Sequence, residues 1–267
     1  PSCLGAAQGG RNDCRGNRFQ DAVMILARSI IFNLVLISWV ILTSVVLCIL
    51  LPFPRRAMQG VMYAWTTVPR VALKWIAGLD FQVLGQENKP SGAALIACKH
   101  QSAWETFIFH ILYRDAAYIM KKELLSIPLW GWYMRKCGCI PVDRSGGGQA
   151  LKEMLRKSRA ALAEGHQVVI FPEGTRTEPG QSLPYNPGIA ALYAMTEAPV
   201  VPVALNSGLF WGRRKFLKHP GVITIEFLPP MPPDLDRRVF LAELEKRIET
   251  ATKGLVSRAK NQYFPKD

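Results

Sequence analysis

Residues 99–107 read KHQSAWETF and place His100 five positions ahead of Glu105, directly after the apolar run ALIAC. A histidine takes a proton from an alcohol near neutral pH, because its unperturbed pKa is about 6.5. A carboxylate on the other ring nitrogen fixes the tautomer and stabilises the imidazolium. The pair is therefore a candidate base with its orienting partner. A solvent-facing histidine and a glutamate favoured at a helix start would give the same pattern.

Two further polar clusters follow apolar runs. The first is KCGCIPVDR, residues 136–144, where Arg144 offers a planar guanidinium to a phosphate, and Lys121 lies upstream after another apolar run. The second is FPEGTR, residues 171–176, whose turn glycine, hydroxyl and guanidinium suit an oxyanion or a phosphate. Its polar residues are Glu173, Gly174, Thr175 and Arg176. A surface ion pair and an ordinary turn are the alternative interpretations.

The sequence lacks the residues that several other kinds of chemistry need. No G-x-S-x-G motif is present, which disfavours a serine hydrolase of the α/β type. The four histidines have no metal-ligand spacing, and His110, the next along the chain, is expected to be structural. The six cysteines do not match a zinc site, so we expect reduced thiols in a cytoplasmic compartment and no metal.

The pattern from residue 80 onward is one of short apolar runs alternating with amphipathic segments. Strands are predicted at 81–84, 94–98, 118–120, 139–142, 168–171, 200–204 and 222–227. Helices are predicted at 103–113, 122–135, 148–163, 187–196 and 237–259. This alternation predicts an α/β fold with a mixed, largely parallel sheet flanked by helices. Since such sheets gather their chemistry where strands end, the three polar clusters are expected at one edge.

An N-terminal segment predicts a membrane anchor. Residues 29–54 carry no charge, and the apolar run 30–51 would form a helix of about 33 Å, enough to cross a bilayer core. A cleaved signal peptide is disfavoured because the run is too long. Basic residues flank it on both sides, so a spanning helix and a re-entrant hairpin both stay open.

The segment that follows, residues 55–78, reads as an amphipathic helix kinked at Pro69. It suits the lipid headgroup zone, with packing on the globular domain as the alternative. The predicted organisation is a disordered basic tail over 1–28, membrane-anchoring helices over 29–78 and an α/β domain over 79–267.

The net charge of +13 admits nucleic acid, an anionic lipid surface or an anionic substrate as partner. The lipid surface is favoured because the charge accompanies an anchor. No nucleic-acid module is recognisable, so no nucleic-acid partner is expected.

Four ordered blocks resemble the glycerolipid acyltransferase family. They are KHQSAWETF, KKELLSIPLWGWYMRKCGCIPVDR, VVIFPEGTR and VVPVALNSG, and they lie within residues 80–230. The resemblance implies that His100 is the general base and Glu105 its acidic partner, a position where the family most often has Asp. It implies that Lys121, Arg144 and Arg176 surround the phosphate of the acceptor. Glu173 and Gly174 match the acceptor-binding pair of the third block, and Pro202 matches the fourth block.

The same resemblance implies the reaction. A fatty acyl group passes from a thioester, on CoA or acyl carrier protein, to the sn-2 hydroxyl of lysophosphatidic acid, with no metal or redox cofactor. The expected location is the cell inner membrane, with the catalytic domain on the cytoplasmic side. Alternative acceptors are another lysophospholipid, glycerol 3-phosphate or a lyso-aminolipid such as lyso-ornithine lipid. An inactive membrane scaffold on the same fold is a further alternative.

Overall fold

The structure is a computed structural model that describes residues 9–143 and 145–265. Its helices are α1 Gly9–Cys48, α2 Arg55–Trp75, α3 Glu105–Leu112, α4 Trp130–Lys136, α5 Gly147–Ala163, α6 Gly188–Tyr193, α7 Ser207–Phe210 and α8 Arg237–Tyr263. Its strands are β1 Leu79–Leu84, β2 Ala94–Cys98, β3 Ala116–Lys121, β4 Ile140–Val142, β5 Gln167–Ile170, β6 Val200–Leu205 and β7 Gly221–Phe227. Short 3-10 helices cover Gln86–Asn88 and Lys122–Ser126.

The described residues form one seven-stranded sheet in the order β1-β7-β6-β2-β5-β3-β4. The five strands from β6 to β4 are mutually parallel. Strand β7 runs antiparallel to β6, and β1 is parallel to β7, so the two strands at this end of the sheet point the other way. The predicted mixed, largely parallel sheet is confirmed, and each predicted strand is present within a few residues.

Helices cover both faces of the sheet, so the central strand β2 is buried throughout. Its odd and even positions face different cores. Ile96 and Cys98 pack towards the side of α2, α3 and α4, whereas Leu95 and Ala97 pack towards α5, α6 and α8. A strand buried on two faces needs a continuous apolar run, which is why residues 94–98 read ALIAC without alternation.

The helix predicted over residues 122–135 is divided. Lys122–Ser126 forms a 3-10 helix and α4 begins only at Trp130. Pro128 lies between them, and it cannot donate the backbone N–H that a continuous helix needs. Leu129 then adopts a positive φ of 63°, which turns the chain into α4.

Helix α1 is apolar and largely uncovered. Among the described residues, the stretch Phe19–Cys48 is the one helix long and apolar enough to cross a membrane, with a mean hydropathy of 2.6. From Ser29 onward one side of it lies on the rest of the protein. Trp39 Nε1 donates to the Trp65 carbonyl at 3.2 Å, and Trp65 Nε1 donates to Thr43 Oγ1 at 2.7 Å. The helix is therefore fastened along α2, with its other side exposed.

One expectation for this region differs from the structure. The tail predicted to be disordered over 1–28 is helical from Gly9, while residues 1–8 lie outside the described residues. Extending an existing helix adds one hydrogen bond per residue without a new nucleation cost. The helix of the apolar run therefore extends into the polar residues before it. Helix α2, which continues through Pro69, buries Met58, Met62 and Leu73. One face of α2 thus packs on the domain, while Tyr63, Val71 and Trp75 stay exposed, so its place in the lipid headgroup zone stays a prediction.

Candidate active site

The polar residues singled out from the sequence follow neighbouring parallel strands. His100 follows β2, Glu173 follows β5 and Lys121 ends β3. Asp143 follows β4, which pairs with β3. The carboxyl ends of parallel strands meet at one edge of a sheet, so the topology brings these positions together as expected.

His100 and Glu105 form the centre of this edge. His100 Nδ1 lies 3.0 Å from Glu105 Oε2, and the Glu105 side chain is fully buried at the start of α3. The Ser102 backbone N–H also donates to the carboxylate, at 2.8 Å to Oε2. Because Nδ1 faces the carboxylate, Nε2 is the ring nitrogen available to a substrate. The His100 side chain keeps 14% of its surface exposed, enough for that contact.

The turn after β6 completes the surroundings of Glu105. Ser207 Oγ donates a hydrogen bond to Glu105 Oε1, and Ser207 is fully buried. The Gly208 N–H donates to Gln101 Oε1 at 3.1 Å. A Cβ on Gly208 would lie 2.9 Å from that of Gln101, so only glycine allows this approach. The sequence interpretation missed Ser207, although the available signal was a polar N-S-G following a strand of the same sheet.

The imidazole is also held from its face and its backbone. The ring of Phe171 stacks on that of His100, with centroids 3.9 Å apart and an interplanar angle of 17°. The Thr177 N–H donates to the His100 carbonyl at 2.9 Å. Residues 171–177 thus fix the His100 imidazole as well as bordering the site.

Glu173 lies beneath this edge and points inward. Its Oε1 accepts a hydrogen bond from Lys99 Nζ at 2.7 Å, and both side chains are fully buried. Lys99 Nζ also donates to Glu249 Oε1 on α8 at 2.8 Å. Burial raises the pKa of Glu173, although the Lys99 ammonium opposes that rise. This placement does not support the expected direct contact of Glu173 with a substrate, because its carboxylate neutralises a buried cation.

The remaining predicted binding residues are at the rim. Gly174 adopts a φ of +68° and its N–H donates to the Phe171 carbonyl at 2.9 Å, which closes the turn. Thr175 and Arg176 follow and are half-buried. Lys121 is exposed at the end of β3. Within residues 9–143 and 145–265, neither Lys121 nor Arg176 forms an ion pair. Arg144 lies outside the described residues.

The buried cysteines and His110 lie away from the polar edge of the sheet or beneath it and are protonated or neutral by burial. No group of three His, Cys, Asp or Glu side chains in the part of the chain that the structure describes could hold a metal ion. Burial raises the pKa of the Cys98 thiol, and it raises that of Cys139 to about 11. Burial also lowers the pKa of His110 to about 4, as suits a structural histidine. A buried thiol that stays protonated is a poor nucleophile.

A half-buried imidazole oriented by a buried carboxylate is suited to removing a proton from an incoming hydroxyl. Placed where parallel strands end, the arrangement suits an enzyme that activates a hydroxyl acceptor. The chain belongs to the acyltransferase family, whose sequence model matches residues 80–206.

Two sequence relatives and one solved structure are similar to this chain. The 1-acyl-sn-glycerol-3-phosphate acyltransferase of Pseudomonas aeruginosa is 34% identical over 75% of this chain and 77% of that protein. The protein of the same name from Limnanthes douglasii is 28% identical over 80% and 78%. The crystal structure of the 1-acyl-sn-glycerophosphate acyltransferase from Thermotoga maritima covers 89% of this chain and 97% of its own. Its TM-score is 0.70 at 19% identity, a likeness of fold.

Proposed function

We propose that the protein transfers a fatty acyl group from an acyl thioester to the sn-2 hydroxyl of lysophosphatidic acid, which gives phosphatidic acid. The observation that carries the proposal is the His100–Glu105 pair, 3.0 Å apart, at an edge that also presents Arg176 and Lys121. The names of the relatives support the same acceptor. The donor is an acyl thioester of CoA or of acyl carrier protein.

The reaction follows from the geometry of the base. Nε2 of His100 removes the proton of the acceptor hydroxyl, while Glu105 on Nδ1 stabilises the imidazolium. The hydroxyl oxygen attacks the thioester carbonyl carbon and forms a tetrahedral oxyanion. Collapse of that intermediate forms the ester, breaks the C–S bond and returns the proton from His100 to the leaving thiolate. No covalent acyl-enzyme is needed.

The length of Glu105 is accommodated by its neighbours. Its two oxygens are held by Ser207 Oγ and the Ser102 N–H, so the longer side chain is fixed where the family most often has Asp. Glu105 therefore serves as the partner of His100 despite the extra methylene.

The apolar helix supports placing this chemistry at a membrane. From Ser29 to Cys48 one side of α1 contacts the protein, which supports insertion of the α1–α2 pair into one leaflet rather than an isolated span. We place the protein at the cell inner membrane with the catalytic domain on the cytoplasmic side. An acceptor that already resides in that leaflet would reach Arg176 without leaving the lipid.

An acceptor panel tests the proposed activity. Purified protein is assayed in detergent micelles with acyl-CoA or acyl carrier protein thioester. The acceptors are lysophosphatidic acid, glycerol 3-phosphate, other lysophospholipids and lyso-ornithine lipid. We expect lysophosphatidic acid to give the highest kcat/KM, with phosphatidic acid as product. Transfer to another acceptor in the absence of transfer to lysophosphatidic acid would reject the assignment.

We expect Ser207→Ala to lower kcat by about tenfold or more with KM unchanged. A hydrogen bond to a charged group contributes about 1.5–3 kcal/mol, and 1.4 kcal/mol is tenfold in rate. Steady-state kinetics with each substrate varied in turn make the measurement. Ser207→Thr keeps the hydroxyl and is the matched control. A Ser207→Ala enzyme with normal kcat would show that Glu105 needs no third donor.

We expect Arg176→Ala to raise the KM for lysophosphatidic acid by roughly 10- to 100-fold, the range of a charge-assisted hydrogen bond. The KM for the acyl donor should change little. Monoacylglycerol, which lacks the phosphate, is the control acceptor and should show no added penalty. Equal effects on donor and acceptor would contradict a phosphate contact.

A further inference from the structure

A basic loop connects α7 to β7 and is not used by the chemistry above. Residues 212–218 read GRRKFLK, with four cations in seven positions. Arg214 and Lys215 are exposed, and so are the apolar side chains of Phe216 (52%) and Leu217 (36%). Among the described residues, no Asp or Glu pairs with any of these cations. The loop therefore presents uncompensated positive charge next to apolar surface.

The inner end of the basic loop is attached to the active site. Arg213 Nη1 donates to the backbone carbonyl of Arg176 at 3.0 Å. Arg176 is the rim cation of the FPEGTR loop, so the position of the basic loop and that of the rim are linked.

The outer end is attached to the apolar helix. Lys218 Nζ donates to Asn33 Oδ1 at 2.8 Å, and the Lys218 N–H donates to Ser29 Oγ at 2.9 Å. Its ammonium lies 5.0 Å from the ring centroid of Trp211 and 5.7 Å from that of Phe32. Lys218 is only 3% exposed, so its contacts with α1 are those of a buried side chain and not those of a freely moving surface lysine.

Exposed apolar side chains of α1 lie in the same helical turns as Ser29 and Asn33, the two α1 residues to which Lys218 donates hydrogen bonds. Ile30 is 42% exposed, Ile31 is 51% exposed and Leu34 is 61% exposed. Cations beside apolar groups match the boundary of a bilayer, where phosphates lie over acyl chains. An acidic protein partner would match the cations but leave Phe216 and the α1 side chains unexplained.

We propose that residues 212–218 are a membrane-docking surface that binds the phosphates of anionic lipids and holds Arg176 at headgroup level. The contact of the loop with lipid does not depend on the acyl transfer proposed above. Its consequence for acceptor capture does rest on that function.

The test uses the full chain in nanodiscs of phosphatidylcholine alone or with a third of phosphatidylglycerol. Hydrogen–deuterium exchange of the amides of residues 212–218 reports the contact without any assay of activity. Arg214→Gln/Lys215→Gln removes two charges. The matched control, Arg237→Gln/Arg238→Gln, removes two exposed charges at the start of α8, which packs on the opposite face of the sheet.

We expect slower exchange of the loop in anionic discs than in neutral discs for the native chain and the control. The loop variant should lose this difference. Each basic side chain near an anionic surface raises the affinity for that surface about fivefold. The pair should therefore raise the affinity of the loop for anionic lipid by up to about 30-fold at low salt. High salt should reduce the effect in the native chain.

Three results would overturn the proposal. One is equal exchange in both kinds of disc, and another is protection that survives in Arg214→Gln/Lys215→Gln. The third is protection in neutral discs on adding only inorganic phosphate or acidic acyl carrier protein, which would identify a soluble anion or a protein partner instead. A chain inactive on lysophosphatidic acid that still shows lipid-dependent protection would reject the proposed function alone.

Discussion

Replacing His100 with alanine is expected to lower kcat by about 10²–10⁴-fold, the usual contribution of a general base. The variant removes the group proposed to take the proton of the acceptor hydroxyl, while Glu105, Ser102 and Ser207 stay in place. The phosphate contact is proposed for Arg176 and Lys121 and not for His100, so the KM values should change far less than kcat. Initial rates of phosphatidic acid formation make the measurement.

His166→Ala is the matched control for this loss. His166 precedes β5 and so lies at the opposite edge of the sheet, where its Nδ1 is 3.2 Å from Asp115. We expect its activity to stay close to that of the native chain. Equal activity of His100→Ala and the native chain would favour the membrane scaffold, in which the site has lost its catalytic role.

The second large effect is expected on stability, from Lys99→Met. Lys99 is fully buried between Glu173 and Glu249, and removing it leaves two carboxylates without their shared cation. Breaking a buried ion pair by removing one partner costs about 3–5 kcal/mol. For a chain of this size the midpoint of thermal unfolding should fall by roughly 10 °C. Tryptophan fluorescence of the detergent-solubilised protein follows the transition.

Two further variants separate charge from packing. Lys99→Met/Glu173→Gln removes one of the stranded carboxylates and should recover part of the lost stability. Lys122→Met breaks an exposed pair with Asp143, for which we expect a change of about 1 kcal/mol or less. If Lys99→Met unfolds no earlier than Lys122→Met, the buried cluster does not hold the site together.

The part of the site that could be predicted is local in sequence. The β2 run ends one residue before Lys99, and His100 and Glu105 are five positions apart, so strand and helix starts suffice to place them together. The common edge of the clusters followed from the parallel sheet, since any parallel order places strand ends on one side. Both predictions use short-range patterns that one sequence contains.

The part that could not be predicted depends on distant contacts. Ser207 meets Glu105 across 102 positions, and Glu249 meets Lys99 across 150. Hydrophobic periodicity gives faces of elements but not which polar residues pair between them. The acceptor-binding role of Glu173 comes from the resemblance, and nothing local shows that Lys99 is buried and needs a countercharge. A phosphate contact of Arg144 stays a prediction.

The position of Glu249 has a consequence for how the protein assembles. Lys99 lies near the start of the catalytic domain, and the acids that enclose it follow 74 and 150 residues later. A chain emerging from the ribosome has its apolar helix and β2 long before α8 exists, and contacts this distant in sequence close late. The Lys99 ammonium, next to His100 in the chain, therefore gains its second carboxylate only when the C-terminal helix docks. An unfinished chain that already sits at the membrane would pair this buried ammonium with Glu173 alone and would be less stable next to the site.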